Sequence, residues 1–260
     1  MIGVVRAAQN RQRQLLTTAT VGTTAGAQSY TFPVGTQYAD IETYGGGGGG
    51  GAANTVAVGR TNYYVGGGGG GGGGYVRYGL TAFGGDVLNF TIGSGGTGDQ
   101  TTRGSSGGNT SITSLNRSGE PIFSFSNLIA YGGFGGERAT TISMIPRGGT
   151  GGQVTGGNIS NRAAANGSNG GLTSVTSANG GGGGAGGQND KNAEDFNLLL
   201  NGGDGGIASS DTRATVGSNG LTNLMGAGGG GGGYFKSGTV AAAYKGATGG
   251  VGGIRIRAYG

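Results

Sequence analysis

Hydrophobic and polar residues alternate with a period of two near both ends of the chain. Residues 29–34 form one alternating run, and residues 38–44 form a second one after a Pro-Val-Gly-Thr turn sequence. This pattern predicts a β-hairpin. Residues 254–259 alternate in the same way and predict a terminal strand. Because a strand must satisfy its backbone hydrogen-bonding groups, we expect the terminal strand to pair with the opening hairpin.

The first 28 residues differ from the remainder, since glycine is scarce and apolar residues alternate with basic and amide ones. They predict a short amphipathic helix or an irregular arm. We interpret residues 1–28 as an attachment arm, with a frayed, solvated terminus as the alternative, and residues 29–260 as one glycine-rich domain. The residues expected to make the attachment are Ile2, Val5, Arg6, Arg11, Arg13, Leu15 and Leu16.

Glycine dominates the remainder and accounts for 72 of the 260 residues. Long tracts occupy residues 45–51, 66–74, 180–184 and 228–233. Leu, Ile, Val and Phe together supply only 46 residues, and a share below about 20% is too small for an ordinary hydrophobic core. The net charge of +5 is modest for a disordered chain. The chain is therefore either a flexible glycine-rich polymer or a domain whose core does not depend on large side chains.

The glycine tracts favour an ordered core, because they are nearly pure glycine, whereas flexible linkers usually mix in serine. Ordering the backbone costs about 1–2 kcal/mol per residue, and lateral hydrogen bonds of about 0.5–1.5 kcal/mol each are the main return. In polyproline II geometry, successive peptide groups point in three directions, so glycine helices can bond to several neighbours. The segments between the tracts show no repeat of constant length, so a regular solenoid is not expected.

The expected fold class is therefore mainly irregular and all-β. We expect a layered bundle of polyglycine II helices, closed by a small β-sheet that the start and end of the glycine-rich domain form.

Composition excludes several functional classes. The chain contains no cysteine and no histidine, which removes disulfide frameworks, thiolate metal sites and the commonest general base. Residues 93–98 match the G-x-G-x-x-G pattern of dinucleotide-binding loops, but about five or six such matches are expected by chance at this glycine content. A single Arg-Gly-Gly motif does not indicate nucleic-acid binding. We expect no enzymatic activity, no cofactor, no metal, no nucleic acid and no membrane insertion.

Polar segments that carry aromatic residues lie between the glycine tracts. Aromatic rings combined with amides and charges are typical of binding surfaces, because rings stack while polar groups fix orientation. The alternative is that they are ordinary turns in which tyrosine caps the bundle. The candidate binding residues are Asn62, Tyr63, Tyr64, Phe134, Arg138, Asp190, Lys191, Asn192, Phe196, Tyr244 and Lys245.

The sequence resembles the glycine-rich receptor-binding adhesins at the tips of bacteriophage tail fibres, and it is similar to those of T-even-type phages. Residues 30–34, 41–45, 87–96, 228–235 and 253–257 carry this resemblance. In those adhesins, loops between polyglycine II helices bind outer-membrane proteins or lipopolysaccharide. The chain differs from them at its start, where it has a short basic arm instead of a longer attachment domain.

The resemblance implies a virion protein of the distal tail fibre or tail tip that recognises a bacterial surface protein or lipopolysaccharide. The N-terminal arm is expected to bind a phage tail-fibre or tail protein. An ice-binding protein and a structural glycine-rich protein without a specific receptor are the alternatives.

Overall fold

The computed structural model describes residues 14–21, 24–98, 103–125, 127–138, 140, 145–173, 177–178, 226, 228–229, 231, 234–237, 240–243 and 245–260. Within these residues the protein is all-β and contains no helix. The strands are β1 (Leu15–Val21), β2 (Gly26–Thr31), β3 (Tyr38–Tyr44), β4 (Asn54–Val58), β5 (Thr61–Val65), β6 (Tyr75–Leu80), β7 (Val87–Ile92), β8 (Thr110–Arg117), β9 (Glu120–Ser124), β10 (Ile129–Ala130), β11 (Val154–Thr155), β12 (Ser160–Arg162), β13 (Leu172–Thr173), β14 (Ser177–Ala178), β15 (Tyr234–Ser237), β16 (Val240–Ala243) and β17 (Gly253–Tyr259).

The strands form two large and two small antiparallel sheets. The first large sheet has the order β1-β17-β3-β6-β12, and the second has the order β11-β10-β8-β7-β2, with β9 added on β8. The small sheets are β13-β5-β4 and β14-β15-β16. The two large sheets pack face to face, because buried side chains of β3, β6 and β17 share one cluster with those of β7, β8 and β10.

The core of this sandwich is conventional. Buried and more exposed side chains alternate along its strands. In β7, Leu88, Phe90 and Ile92 are buried and the residues between them are half-buried. Full burial of such a side chain contributes about 1.5–3 kcal/mol. The sandwich therefore supplies the part of the stability that comes from large side chains.

Pairing of the two ends of the domain is confirmed, but the predicted hairpin is wrong. The terminal strand β17 pairs with β3 along its whole length, from Gly253 opposite Tyr44 to Tyr259 opposite Tyr38. β2 and β3 lie in different sheets, since β2 pairs with β7. The N–H of Phe32 donates to Asp86 O at 2.9 Å, so the chain leaves β2 beside the β6–β7 turn and crosses to the other sheet.

The start of the chain also differs from the prediction over its described part. Leu15–Val21 forms a strand rather than a helix or irregular arm, and it pairs antiparallel with β17. Three threonines and a valine favour this extended conformation because they are β-branched. Residues 1–13 lie outside the described residues.

Between the sheets, segments rich in glycine run side by side without belonging to a strand or a helix. We call these the glycine segments: residues 45–51, 66–74, 93–98, 103–108, 131–138, 147–153, 163–171 and 245–252, with Gly226 and Gly229 beside them.

Their hydrogen bonds follow a period of three. The N–H groups of Gly45, Gly48 and Gly51 donate to the segment 66–74, those of Gly46 and Gly49 to the segment 103–108, and those of Gly47 and Gly50 to the segment 245–252, all at 2.8–2.9 Å. Segment 66–74 repeats the pattern, since Gly68, Gly71 and Gly74 donate to the segment 131–138. Consecutive residues of one segment thus bond to three different neighbours.

The carbonyl groups of the segment 45–51 accept bonds from further neighbours. Gly133 and Gly136 donate to it from the segment 131–138, Gly96 donates from the segment 93–98, and Gly229 also donates. Segment 45–51 is therefore surrounded by six lengths of chain. The large majority of its backbone groups are satisfied without a strand partner, which meets the requirement for buried peptide groups.

Candidate functional site

The glycine segments connect two ends of the molecule that differ in structure. At one end, the sandwich end, they continue into the strands of the two large sheets. At the other, which we call the turn end, the hairpin β4–β5 joins residues 45–51 to residues 66–74, and β13 pairs with β5. The chain order assigns the ends: β3 leads into residues 45–51, the hairpin follows, and residues 66–74 return to β6. The two large sheets and the hairpin β4–β5 are thus kept at opposite ends.

Three arginines lie at the turn-end tips of three adjacent glycine segments. The N–H of Gly104 donates to Gly136 O at 2.9 Å, and the N–H of Glu137 donates to Arg147 O at 2.9 Å. These bonds place segments 103–108, 131–138 and 147–153 next to one another. We call Arg103, Arg138 and Arg147 the arginine row.

The contacts of the arginine row fix its surroundings. Arg138 Nη2 donates to Asn54 Oδ1 at 2.8 Å, which ties the row to the hairpin β4–β5. Arg103 Nε donates to Gly135 O at 3.4 Å. Oε2 of Glu137 accepts the backbone N–H of Arg147 at 3.2 Å. Arg103 and Arg147 are exposed and Arg138 is half-buried, so the row faces solvent.

Several predicted binding residues lie at the turn end. Asn62, Tyr63 and Tyr64 are on β5, and Tyr63 is half-buried. Arg138 reaches their hairpin through Asn54. Lys245 is exposed at the start of the segment 245–252. The structure therefore brings together residues that the sequence separates by up to 183 positions.

Phe134 lies on the outer surface, away from the turn-end tips of the segments. It is half-way along the segment 131–138, where its N–H donates to Thr150 O and its carbonyl accepts the N–H of Gly71, both at 2.9 Å. Its side chain is 50% exposed. Asp190, Lys191, Asn192, Phe196 and Tyr244 lie outside the described residues.

The residues predicted to attach the protein lie at the sandwich end where they are described. Leu15 and Leu16 are on β1, with relative exposures of 50% and 39%. Gln14, just before them, exchanges two backbone hydrogen bonds with Gly260. Ile2, Val5, Arg6, Arg11 and Arg13 lie outside the described residues.

Within the first sheet, charged groups of β3, β6 and β17 pair with one another. Asp40 and Glu42 are buried on β3 and face arginines of the two neighbouring strands. Arg77 Nε donates to both oxygens of Asp40 at 2.9 and 3.0 Å. Arg255 pairs with Glu42, and Arg257 Nη1 lies 3.1 Å from Glu42 Oε1 and 3.6 Å from Asp40. The hydrogen bond that Arg77 donates to Asp40 raises the pKa of this arginine, so its guanidinium group stays protonated.

Two tyrosines cover the network on the side of the glycine segments. Tyr44 and Tyr75 lie opposite each other, with ring centroids 5.2 Å apart. Burial, followed by the nearby charge of Glu42, raises the pKa of both phenols. Tyr44 Oη donates to Glu42 Oε2 at 3.0 Å. These groups are arranged for structure, since they lie buried and bonded inside the sheet.

An apolar cleft of about 310 Å³ opens on the side of the sandwich, between β6 and the hairpin β8–β9. Aromatic rings form its wall, with Phe125 5.5 Å from Tyr78 and 4.7 Å from Phe123. In the described part of the chain, no group of three or more acidic side chains is placed to hold a metal ion. Nor does a helix long and apolar enough to cross a membrane occur in these residues.

Residues 93–98, which match the dinucleotide motif, use their backbone within the glycine segments. The N–H of Gly96 donates to Gly47 O at 2.7 Å, and Gly93 O accepts the N–H of Gly252 at 2.9 Å. An N–H group bonded in this way is not available to a phosphate. The motif match is thus explained by packing of the chain on itself.

Sequence reasoning missed Arg60, Arg103 and Arg147 as candidate binding residues. A signal was present, because residues 131–136, 147–152 and 248–253 read as X-Gly-Gly triplets. Every third residue of these segments faces outward, as exposed Arg147, Thr150 and Gln153 show. Arg147 is the first residue of such a series and lies at a segment tip, whereas Arg60 and Arg103 begin no such series.

Comparison with known proteins identifies the family of the chain. No curated protein matches the chain significantly. The model of a family described as a glycine-rich domain matches residues 22–259. This match begins directly after β1 and runs to the end of β17. The chain therefore belongs to the glycine-rich domain family.

Proposed function

We propose that the protein is a non-enzymatic bacteriophage adhesin of the tail fibre or tail tip, which recognises a bacterial outer-membrane protein or lipopolysaccharide through its turn end. The single observation that carries the proposal is the separation of the two ends. The hairpin β4–β5 and the arginine row lie at one end, whereas β1, which carries the attachment residues Leu15 and Leu16, lies at the other. An adhesin needs this arrangement, because one end binds the particle and the other faces the host.

In this proposal the glycine segments are polyglycine II helices stacked in layers. The period of three in their hydrogen bonds supports this, and so do the six neighbours of the segment 45–51. Such helices have three residues per turn and rise about 3.1 Å per residue. Nine residues then span about 28 Å, which would hold the turns away from the sandwich on a stiff support.

A stiff support favours recognition by loops. Loops that are ordered before binding do not pay their ordering entropy at the moment of binding. They can also change in sequence without unfolding the scaffold, because they contribute little to the core. Several copies on one particle would add avidity. The attachment arm, residues 1–28, would bind the tail-fibre or tail protein and leave the turn end free.

Labelling at unique cysteines tests the proposal, because the chain contains no cysteine of its own. Arg60→Cys places a thiol on the β4–β5 turn, and the matched variant Gln37→Cys places one on an exposed loop at the sandwich end. Each is coupled to a bulky polyethylene glycol maleimide, and retention on a panel of bacterial cells is measured.

We expect the coupled Arg60→Cys protein to lose cell binding and the coupled Gln37→Cys protein to keep it. Uncoupled variants serve as controls for folding. Equal binding by both coupled proteins, or loss only with the label at position 37, would contradict recognition through the turn end. A full-length protein that no bacterial surface retains would contradict the adhesin proposal itself.

A further inference from the structure

Charge is distributed unequally between the two ends. At the sandwich end, the carboxylates Asp40, Glu42 and Asp86 all form ion pairs with arginines. At the turn end, the described side chains carry five positive charges and one negative charge, an excess of four. The positive residues are Arg60, Arg103, Arg138, Arg147 and Lys245, and the negative one is Glu137.

The backbone holds part of this charge together. The arginine row lies on three segments joined by direct hydrogen bonds of 2.9 Å, so its three Cα positions cannot move apart without breaking the glycine packing. A concentration of basic side chains on one surface attracts anions. Arginine also stays charged over the whole physiological pH range and offers a planar fork that fits phosphate and carboxylate oxygens.

An exposed ring lies on the same outer surface. Phe134 is four residues from Arg138 on the segment 131–138, at the level of Thr150 on one neighbouring segment. On the other side, the N–H of Gly107 donates to Gly133 O, which places exposed Ser106 nearby. A ring flanked by hydroxyl groups suits the face of a sugar, and Arg138 lies four residues further along the same segment.

We propose that the arginine row, together with Arg60, Lys245 and Phe134, binds a saccharide that carries phosphate or carboxylate groups. This inference rests on the proposed function and names the chemistry of the receptor. Charge complementarity supplies the attraction and the exposed ring supplies contact with the sugar. A nucleic acid fits less well, because proteins that bind it use a basic groove along the strand, whereas these cations are gathered at one end of the molecule.

Binding of the full-length protein to defined surfaces tests the inference. The probes are phosphatidylcholine vesicles that carry phosphorylated lipopolysaccharide, the same vesicles after removal of its phosphates, polygalacturonate as a phosphate-free acidic sugar, vesicles of phosphatidylglycerol at equal charge, and duplex DNA. We expect at least tenfold tighter binding to one or both acidic saccharides than to the dephosphorylated surface. Raising the salt concentration from 50 to 300 mM should weaken it about tenfold, because salt screens exposed charges.

Matched variants separate a site from a general charge effect. The triple variant Arg60→Gln, Arg147→Gln, Lys245→Gln should bind acidic saccharide at least tenfold more weakly. The control Gln14→Glu, Val34→Glu, Gln37→Glu changes net charge by the same amount at exposed positions of the sandwich end and should stay within twofold. Phe134→Ala should weaken binding, whereas Phe123→Ala, with an equally exposed ring at 51%, should not.

Thermal unfolding confirms that each variant is folded before binding is compared. Equal losses in the two triple variants, binding that ignores removal of the anionic groups, or equal affinity for DNA or phosphatidylglycerol would each overturn the inference. If the turn-end triple variant still binds bacterial cells like the native protein, the anionic receptor is wrong while the adhesin proposal stands. If the turn-end triple variant loses both saccharide binding and cell binding while the control variant keeps both, the result supports the adhesin proposal and the acidic-saccharide receptor.

Discussion

Gly48 faces the carbonyl oxygen of Phe134 so closely that a Cβ on Gly48 would lie 2.1 Å from it. The N–H of Gly71 donates to the same oxygen at 2.9 Å. One carbonyl group thus accepts an N–H from one segment and faces the Cα of another, a contact of the Cα–H···O type. Glycine is required at position 48 because the backbone of another segment lies too close to leave room for a side chain. The conformational freedom of glycine is not the reason.

Alanine at position 48 should therefore be strongly destabilising. The added methyl group has no space, and the segment 45–51 cannot shift because six lengths of chain bond to it. We expect Gly48→Ala to lower the free energy of unfolding by about 3 kcal/mol or more, at the upper end for overpacked sites. Guanidinium unfolding measures this loss.

The matched control is Ser94→Ala. Ser94 also lies on a glycine segment, but its side chain is exposed. Its free energy of unfolding should stay within about 0.5 kcal/mol of the native value. If Gly48→Ala were as stable as this control, the close packing of the glycine segments would be wrong.

The glycine segments should also resist amide hydrogen exchange. In the segment 66–74, Gly66 and each glycine from Gly68 to Gly74 donates a backbone hydrogen bond at 2.7–3.1 Å. Exchange then requires opening of the packed array rather than local fraying. We expect exchange in residues 66–74 to be slowed at least 100-fold relative to an unstructured peptide, as measured by NMR or mass spectrometry. Exchange at the rate of a flexible linker would contradict the polyglycine II proposal.

Asparagine side chains complete the hydrogen bonding of an outer segment. Oδ1 of Asn166 accepts the N–H of Gly151 at 2.8 Å, and Oδ1 of Asn169 accepts the N–H of Gly148 at 3.0 Å. The two donor residues are three positions apart, and so are the two acceptor residues. The side-chain hydrogen bonds therefore follow the same period of three as the backbone hydrogen bonds. Asn166→Ala should lower the free energy of unfolding by about 0.5–1.5 kcal/mol, as followed by thermal or guanidinium unfolding. Asn166→Asp keeps the accepting oxygen and should lose less; equal losses would show that this bond is unimportant.

The sequence predicted those parts of the fold that depend on alternating side chains. The pairing of β17 with β3 was expected because both strands alternate and both adjoin glycine segments. The partner of β2 was not expected, because its choice depends on the contact between Phe32 and Asp86, residues that are 54 positions apart. Local alternation carries no information about such a crossing.

The candidate site was harder to predict than the fold. Arg138 was recognised, but Arg103 and Arg147 became its neighbours only through the order in which glycine segments pack. Every glycine segment offers the same backbone donors and acceptors, so the sequence of a segment does not determine which other segments lie next to it. The X-Gly-Gly triplets do indicate which segments lie outside, because an inner segment has no room for a side chain at any of the three positions.

The ion pair between Asp86 and Arg117 should make stability depend on pH. Arg117 Nε and Nη2 donate to the two oxygens of Asp86 at 2.7 and 2.8 Å, and the N–H of Phe83 donates at 2.8 Å. The bonds from Arg117, followed by that from Phe83, hold the pKa of Asp86 below its ordinary value. The unfolded chain therefore binds this proton more readily than the folded protein does.

The stabilisation from Asp86 is accordingly complete above about pH 5 and is lost as the pH falls through its pKa in the folded protein. We expect the free energy of unfolding, measured by urea titration from pH 7 to pH 2.5, to fall in this range. Asp86→Asn should lose about 1–2 kcal/mol at pH 7 and show a shallower fall. The control Glu120→Gln removes an exposed carboxylate outside this ion pair and should stay within about 0.5 kcal/mol at pH 7. An Asp86→Asn protein with the native pH dependence would contradict the assignment, because the proton uptake would then belong to another group.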